Sequence, residues 1–278
     1  MKLIKRTEIS KPNEVYNLHI KNDHNYIVEG AVVSNCHQAK ANVLKELLTG
    51  KLANVPIRWG LTGTIPKELM DQVSLLVSLG PVISKLSANE LQEKGVLAKC
   101  EVNIIQLKDD REFSNYQSEL KFLLENEDRI NAIVGMINQI AQTGNTLILV
   151  DRISAGRNLA AKLPDSVFIS GSTSLTERKE EYDEVATQDN KVLICTYGVA
   201  AVGINIPRIF NLVLIEPGKS FVRVIQSIGR GIRKAKDKDF VNIYDITSSC
   251  KFSRRHLTQR KQYYREANYP FKVTKVSY

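Results

Sequence analysis

Gln226, Arg230 and Arg233 are spaced four and three residues apart, so on a helix all three share one face. Two guanidiniums held side by side suit phosphate. Each is planar and permanently charged, and together they can clamp the charge that develops on a transferred phosphoryl group. A second reactive pair lies near the other end of the chain, where Asn35 precedes Cys36. A thiol with an ordinary pKa of about 8.5 becomes a strong nucleophile once a neighbour removes its proton. His24 changes protonation near neutral pH and is a candidate acid/base group. Taken singly, these features also fit a surface arginine pair, an ordinary turn and a polar histidine.

The arginines close a regular alternation of elements. Ile130, Ile133, Val134, Ile137, Ile140 and Ala141 recur at helical spacing, and short apolar runs at 146–150, 167–169, 191–195, 211–215 and 240–244 read as strands. Helical segments between most of them predict an α/β fold with a parallel sheet covered on both faces. Upstream, 39–48 and 67–79 read as helices and 58–61 as a strand, which together make only part of such a sheet. The first 35 residues differ again. Their β-rich runs at 15–20 and 26–33 flank a polar turn cluster at 21–25, and Gly30 permits a bend in the second run. A hairpin of that size holds no core alone.

With 278 residues, 43% of them apolar, the chain can bury a sizeable core. It has no apolar stretch of membrane-spanning length and no secretory signal at its start, so a soluble cytoplasmic protein is expected, with no membrane partner. Cys36, Cys100, Cys195 and Cys250 are too scattered for a zinc site or a disulfide framework, and no metal ligands are assigned. The net charge of +9 is concentrated at the end: residues 249–278 hold eight Lys/Arg against one Glu. Arg254, Arg255, Arg260 and Lys261, interleaved with Tyr263, Tyr264, Tyr269 and Phe271, could contact phosphates and stack on bases. A solvated basic helix explains the same charge.

The run T-Y-G-V-A-A-V-G-I-N-I-P at 196–207, Q-S-I-G-R-G-I-R at 226–233 and L-T-G-T at 61–64 occur in an order that resembles the later motifs of superfamily two helicases. More narrowly, the chain resembles the UvsW-type phage DNA helicases. The resemblance spans roughly residues 36–248 and implies two RecA-like domains with ATP and Mg2+ bound between them. It implies that Arg230 and Arg233 act as arginine fingers and that Gln226, Gly203 and Asn205 line the nucleotide site. Asn205 stands where the family commonly has aspartate. Thr196 would touch nucleic-acid backbone, and His37, Thr62 and Thr64 would couple hydrolysis to domain movement. Gly229 and Gly231 would allow close approach of backbone or phosphate. Gly218-Lys219-Ser220 imitates the end of a phosphate-binding loop, but Val213 stands where that loop needs its first glycine.

The sequence contains no complete G-x-x-x-x-G-K-[ST] run, and Cys36-His37 is the second half of a D-E-x-H motif whose acids are replaced by Ser34-Asn35. Residues 15–36, V-Y-N-L-H-I-K-N-D-H-N-Y-I-V-E-G-A-V-V-S-N-C, resemble the C-terminal segment of inteins, with a DnaE-like serine before the asparagine. The length of residues 1–35 and their opening methionine resemble the C-terminal piece of a naturally split intein. The resemblance implies that Cys36 attacks a thioester offered by a partner fragment. Asn35 then cyclises and cuts the chain before Cys36, with His24 as the acid/base group. Asn17 stands where that family often has aspartate, and an amide keeps the hydrogen bonding but loses the base; Asp23 is a group that could compensate.

The expected architecture is therefore a small all-β intein segment at 1–35, the remainder of a first RecA-like domain at 36–110, a complete RecA-like domain at 111–248 and a basic tail at 249–278. The expected function is that of a precursor. Trans-splicing to an upstream fragment would complete an ATP-dependent DNA helicase, in the host cytoplasm if the gene belongs to a phage. Alternatives are an unspliced nucleic-acid-binding module and a helicase half complemented without covalent joining.

Overall fold

The chain forms two compact units, Met1–Ile83 and Ser84–Tyr278. The computed structural model describes residues 25–28, 31–35, 42–55, 57–62, 65–66, 68–203, 206 and 208–278. In the first unit, β1 (Asn25–Val28), β2 (Ala31–Asn35) and β3 (Ile57–Leu61) form a three-stranded sheet in that order. β1 and β2 pair antiparallel, so the single run expected at 26–33 is two strands; the run expected at 15–20 lies outside the described residues. β2 continues in parallel onto β3, from Ala31 opposite Ile57 to Asn35 opposite Leu61. Residues 31–35 thus share a sheet with the strand that leads into L-T-G-T and do not stand apart from it.

Two helices accompany this sheet, α1 (Asn42–Thr49) and α2 (Leu69–Leu79). Leu48 has no exposed surface, and Leu52, Val55, Leu75 and Leu79 pack against it.

The second unit runs through α3 (Ala88–Glu93), β4 (Lys99–Leu107), α4 (Tyr116–Glu125), α5 (Glu127–Ala141), β5 (Thr146–Val150), α6 (Ile153–Lys162), β6 (Ser166–Ile169), α7 (Leu175–Thr187), β7 (Val192–Thr196), α8 (Tyr197–Gly203), β8 (Asn211–Ile215), α9 (Phe221–Gly231), β9 (Phe240–Ser248), α10 (Lys251–Glu266) and β10 (Phe271–Val276). Its seven strands are ordered β10-β4-β9-β8-β5-β7-β6, and every pair is parallel.

The central strands T-L-I-L-V, V-L-I-C-T and N-L-V-L-I are buried at every residue, as a parallel sheet with both faces covered demands. Alternate side chains serve different cores. Leu147, Leu149, Leu193, Leu212 and Leu214 pack with Val224 and Ile228 of α9 and with Leu257 and Tyr264 of α10. Ile148, Val150, Ile194, Val213 and Ile215 pack with Leu120 and Leu124 of α4, with Ile130, Ile133 and Ile137 of α5 and with Leu159 of α6.

Two strands depart from the sequence expectation. β4 pairs with β9 along its whole length, so 99–107 belongs to the second sheet and the division falls after Ile83 instead of near 110. β10 adds to β4 at the edge, so the expected tail is a helix and a strand built into the domain. Its pattern hid it: Lys272, Val273, Thr274 and Lys275 are exposed, as suits an edge strand whose charged residues discourage further pairing.

Candidate functional site

α9 carries the first of the two arginines. Ser220 caps it, its hydroxyl accepting from the Arg223 amide at 3.3 Å, and Val224, Ile228 and the following Ile232 are fully or almost fully buried. Gln226 and Arg230, both half-buried, lie on the helix, but Arg233, also half-buried, is corrected: the helix ends at Gly231 and Arg233 follows it, bridged to Leu97, so the three do not share one helical face. Burial and then the nearby charge of Arg233 hold Arg230 below the ordinary guanidinium pKa, and burial does the same to Arg233. A Cβ on Gly231 would meet Leu212 of β8 at 3.1 Å, so this glycine lets helix and sheet approach; one on Gly229 would meet nothing within 4 Å.

Lys238 fixes the helix end, a role no local pattern marks. It is 2% exposed, and its side-chain nitrogen donates to the Gly231 carbonyl at 2.6 Å, between the two arginines in sequence. Burial pushes its pKa down to about 7.

The connection from β8 into α9 is held from both faces of the sheet. Glu216 takes a positive φ of 42°, unusual for a residue with a side chain. Its buried carboxylate accepts from Arg129 Nη2 at 2.6 Å, from Ser253 at 3.3 Å and from Thr247 at 3.4 Å. Burial raises its pKa to about 7, against the pull of Arg129 and Arg260. Arg129 also reaches Asp109 at 3.4 Å and the Leu123 carbonyl at 2.8 Å. Arg260 donates to both oxygens of Asp245, at 2.8 and 2.9 Å, and to the Gly218 carbonyl at 2.7 Å, while the Tyr263 hydroxyl donates to the Lys219 carbonyl at 3.1 Å. Gly218-Lys219-Ser220 is thus a braced loop that aims α9.

Arg260 is therefore corrected: at 1% exposure it braces the loop and has no surface to offer nucleic acid. Tyr264 and Tyr269 are corrected likewise, because both are core residues, at 0% and 3% exposure. The charge at Arg254 and Arg255 is exposed, and Lys261 is half-buried. Glu119 of α4 accepts from the Phe252 and Ser253 amides, satisfying donors at the first turn of α10.

Thr196 ends β7, 8% exposed, and Gly203 ends α8, placing both at the carboxyl edge of the sheet. Arg223 pairs with Asp151, just past β5, at 2.6 Å and lies 5.0 Å from the Tyr197 ring centre. In the first unit Thr62 follows β3, and the register puts Asn35 opposite Leu61. His24, Cys36, His37, Thr64 and Asn205 lie outside the described residues. Cys100, Cys195 and Cys250 are buried free thiols, as their scatter predicted.

Residues 113–235 match the helicase conserved C-terminal domain. That match lies within the second unit. The chain is 24% identical over 239 residues to the ATP-dependent DNA helicase uvsW of Enterobacteria phage T4, covering 82% of this chain and 47% of that protein. A protein of Sulfolobus islandicus filamentous virus (isolate Iceland/Hveragerdi) is 28% identical over 236 residues, covering 77% of this chain and 42% of its own. The chain thus spans about half the length of the curated relatives it matches. Among solved structures, T4 UvsW shares the fold with a TM-score of 0.56 at 18% identity, over 88% of this chain and 53% of that one. S. cerevisiae Dbp5, solved bound to RNA and ADP BeF3, gives 0.59 at 17% identity, over 88% and 59%. The matched residues include α9 and Thr196. None of these matches extends the likeness to an intein. Among the described residues no helix is long and apolar enough to cross a membrane.

Proposed function

We propose that this chain is the C-terminal half of an ATP-dependent DNA helicase, joined to its other half by trans-splicing between Asn35 and Cys36. The observation that carries the reading is the junction. Cys36-His37, read as the second half of D-E-x-H, follows Ser34-Asn35 where two acids belong, while residues 113–235 match the helicase conserved C-terminal domain. The Cys36 thiolate attacks the thioester carbonyl at the end of the partner and displaces the partner's thiol. The Asn35 side-chain nitrogen then attacks its own backbone carbonyl, closing a succinimide and releasing the Cys36 amine. That amine takes the acyl group from sulfur, leaving an ordinary peptide bond, with His24 moving the proton at the cleavage step.

In the product, Arg230 and Arg233 would suit the phosphate chain of ATP, as permanently charged planar guanidiniums can clamp phosphoryl oxygens. Gln226, Gly203 and Asn205 would line the nucleotide. The acids for Mg2+ would arrive with the partner, next to Cys36. His37, Thr62 and Thr64 would couple hydrolysis to movement, and Thr196, Arg254, Arg255 and Lys261 would contact DNA.

Intact-mass analysis after mixing with the upstream fragment tests this reading. Ligated product beginning its C-terminal part at Cys36, and a free peptide of residues 1–35, are expected. Cys36→Ala should stop ligation and Asn35→Ala should stop release; ligation that survives both removes the assignment. A second reading, an unspliced nucleic-acid-binding module, is favoured by the parallel pairing of β2 with β3, which makes residues 31–35 part of the helicase sheet. It predicts salt-sensitive DNA binding that is indifferent to Cys36.

A further inference from the structure

Arg233 stands outside α9, so helical period does not place it. Its backbone is held from two sides instead. On one side it bridges antiparallel to Leu97, and the neighbouring Ala98 amide donates to the Ile232 carbonyl at 2.8 Å. Gln92 of α3, half-buried, keeps that segment in line, donating from Nε2 to the Ala98 carbonyl at 2.8 Å. On the other side the chain turns back through a bridge between Ala235 and Lys238, and Lys238 reaches the Gly231 carbonyl at 2.6 Å. The last carbonyls of a helix have no partner within it, and a cation there also meets the negative end of the helix dipole.

The burial of this cation is what asks for more than a cap. Lys234, Lys236, Asp237 and Asp239 in the same turn are exposed, with Lys234 paired to Asp239 at 3.1 Å and Asp237 to Arg208 at 2.8 Å, whereas Lys238 is 2% exposed. A lysine reaching over from solvent would cap the helix as well. A buried ammonium has to keep its acceptor, so it also fixes the turn that carries it.

We infer that Lys238 is the positioning residue of Arg233: it ties the end of α9 to the 235–238 turn and, with the Leu97–Ala98 segment opposite, fixes the backbone on which the Arg233 guanidinium is mounted, and so its place relative to Arg230. Lys238 acts through Arg233 and touches no nucleotide. The catalytic consequence rests on reading the two arginines as phosphate ligands of a helicase; the positioning itself does not.

Lys238→Met keeps a long unbranched stem and removes the ammonium. The first measurement uses the full chain alone, with phenylglyoxal labelling of Arg233 and Arg230 read by peptide mass spectrometry. Arg233 should label at least about fivefold faster in the variant while Arg230 stays within about twofold, because the loosened segment follows the helix. An unchanged Arg233 overturns the proposal. So does an equal rise at both arginines, which would leave Lys238 as a helix cap only. Should Lys238→Met fail to fold, Gln92→Ala loosens the opposite side of the same clamp and is held to the same labelling criterion. The second measurement is ATP hydrolysis by the ligated product, in which Lys238→Met should lower kcat at least about tenfold and leave KM for ATP within about twofold. Wild-type kcat in this variant, beside an inactive Arg233→Ala, overturns the proposal too. A ligated product that hydrolyses no ATP, or one that is fully active as Arg233→Ala, is instead a failure of the helicase reading, and the labelling result then decides the positioning by itself.

Discussion

The two units contain the same kind of element in different states of completion. In the second, seven parallel strands are covered on both faces, and charged groups inside it are matched, Arg129 with Glu216 and Asp109, Arg260 with Asp245. In the first, among the described residues, a three-stranded sheet and two helices accompany a small cluster around Leu48, and one side of α2 is exposed. The difference is between a large core covered on both faces and a small one. Apolar pattern alone does not distinguish them, because α2 is as apolar as a core helix; what differs is how much of that surface is covered among the described residues.

The hardest blow to the contrast is Arg129→Ala. It strands Glu216 and Asp109 in the interior and should cost about 3–5 kcal/mol in the urea unfolding of the second unit. A loss under about 1 kcal/mol would mean that the network does not hold this unit together.

Paired core truncations sharpen the comparison. Ile148→Ala should cost about 2–5 kcal/mol in the same transition. Leu48→Ala should leave that transition within about 0.5 kcal/mol and appear instead as faster amide exchange in α1 and α2.

Glu216 gives a pH signature peculiar to the second unit. Its carboxyl is raised from 4.5 to about 7, chiefly by burial, so between those values the folded chain holds a proton that the unfolded chain has lost. The stability this proton contributes is fully present below pH 4.5 and is lost as pH rises through 7. Glu216→Gln does not titrate and should gain on the wild type by up to about 3 kcal/mol across that window, as read from denaturation midpoints.

The smallest expected effect is also a gain. The Tyr197 hydroxyl is buried with no hydrogen-bond partner, so Tyr197→Phe should stabilise the second unit by about 1 kcal/mol in thermal melts.

Much of the second unit was legible because a parallel strand covered on both faces is apolar at every position, as 146–150 and 211–215 are. Helical period placed Gln226 and Arg230 on one helix but did not reveal that α9 ends at Gly231 and leaves Arg233 in a bridge to Leu97. β10 was illegible because an edge strand exposes Lys272 and Lys275 like any basic tail. The braces were illegible for another reason. Whether a charge is buried depends on partners distant in sequence: Arg129 meets Glu216 87 residues away, Arg260 meets Asp245 15 away, and neither spacing is a local pattern. Lys238 sits in a charged loop and reads as surface until the Gly231 carbonyl is seen above its ammonium.

The central claim is that this chain brings the arginines of an ATPase whose phosphate-binding loop and metal-binding acids arrive on another polypeptide. Single-turnover ATP hydrolysis tests it most directly, comparing the ligated product, the unligated chain and ligated Arg230→Ala and Arg233→Ala. Activity confined to the ligated product, falling about a thousandfold in either variant, is the expected result. Hydrolysis by the unligated chain at the rate of the ligated one, or full activity without either arginine, would contradict it.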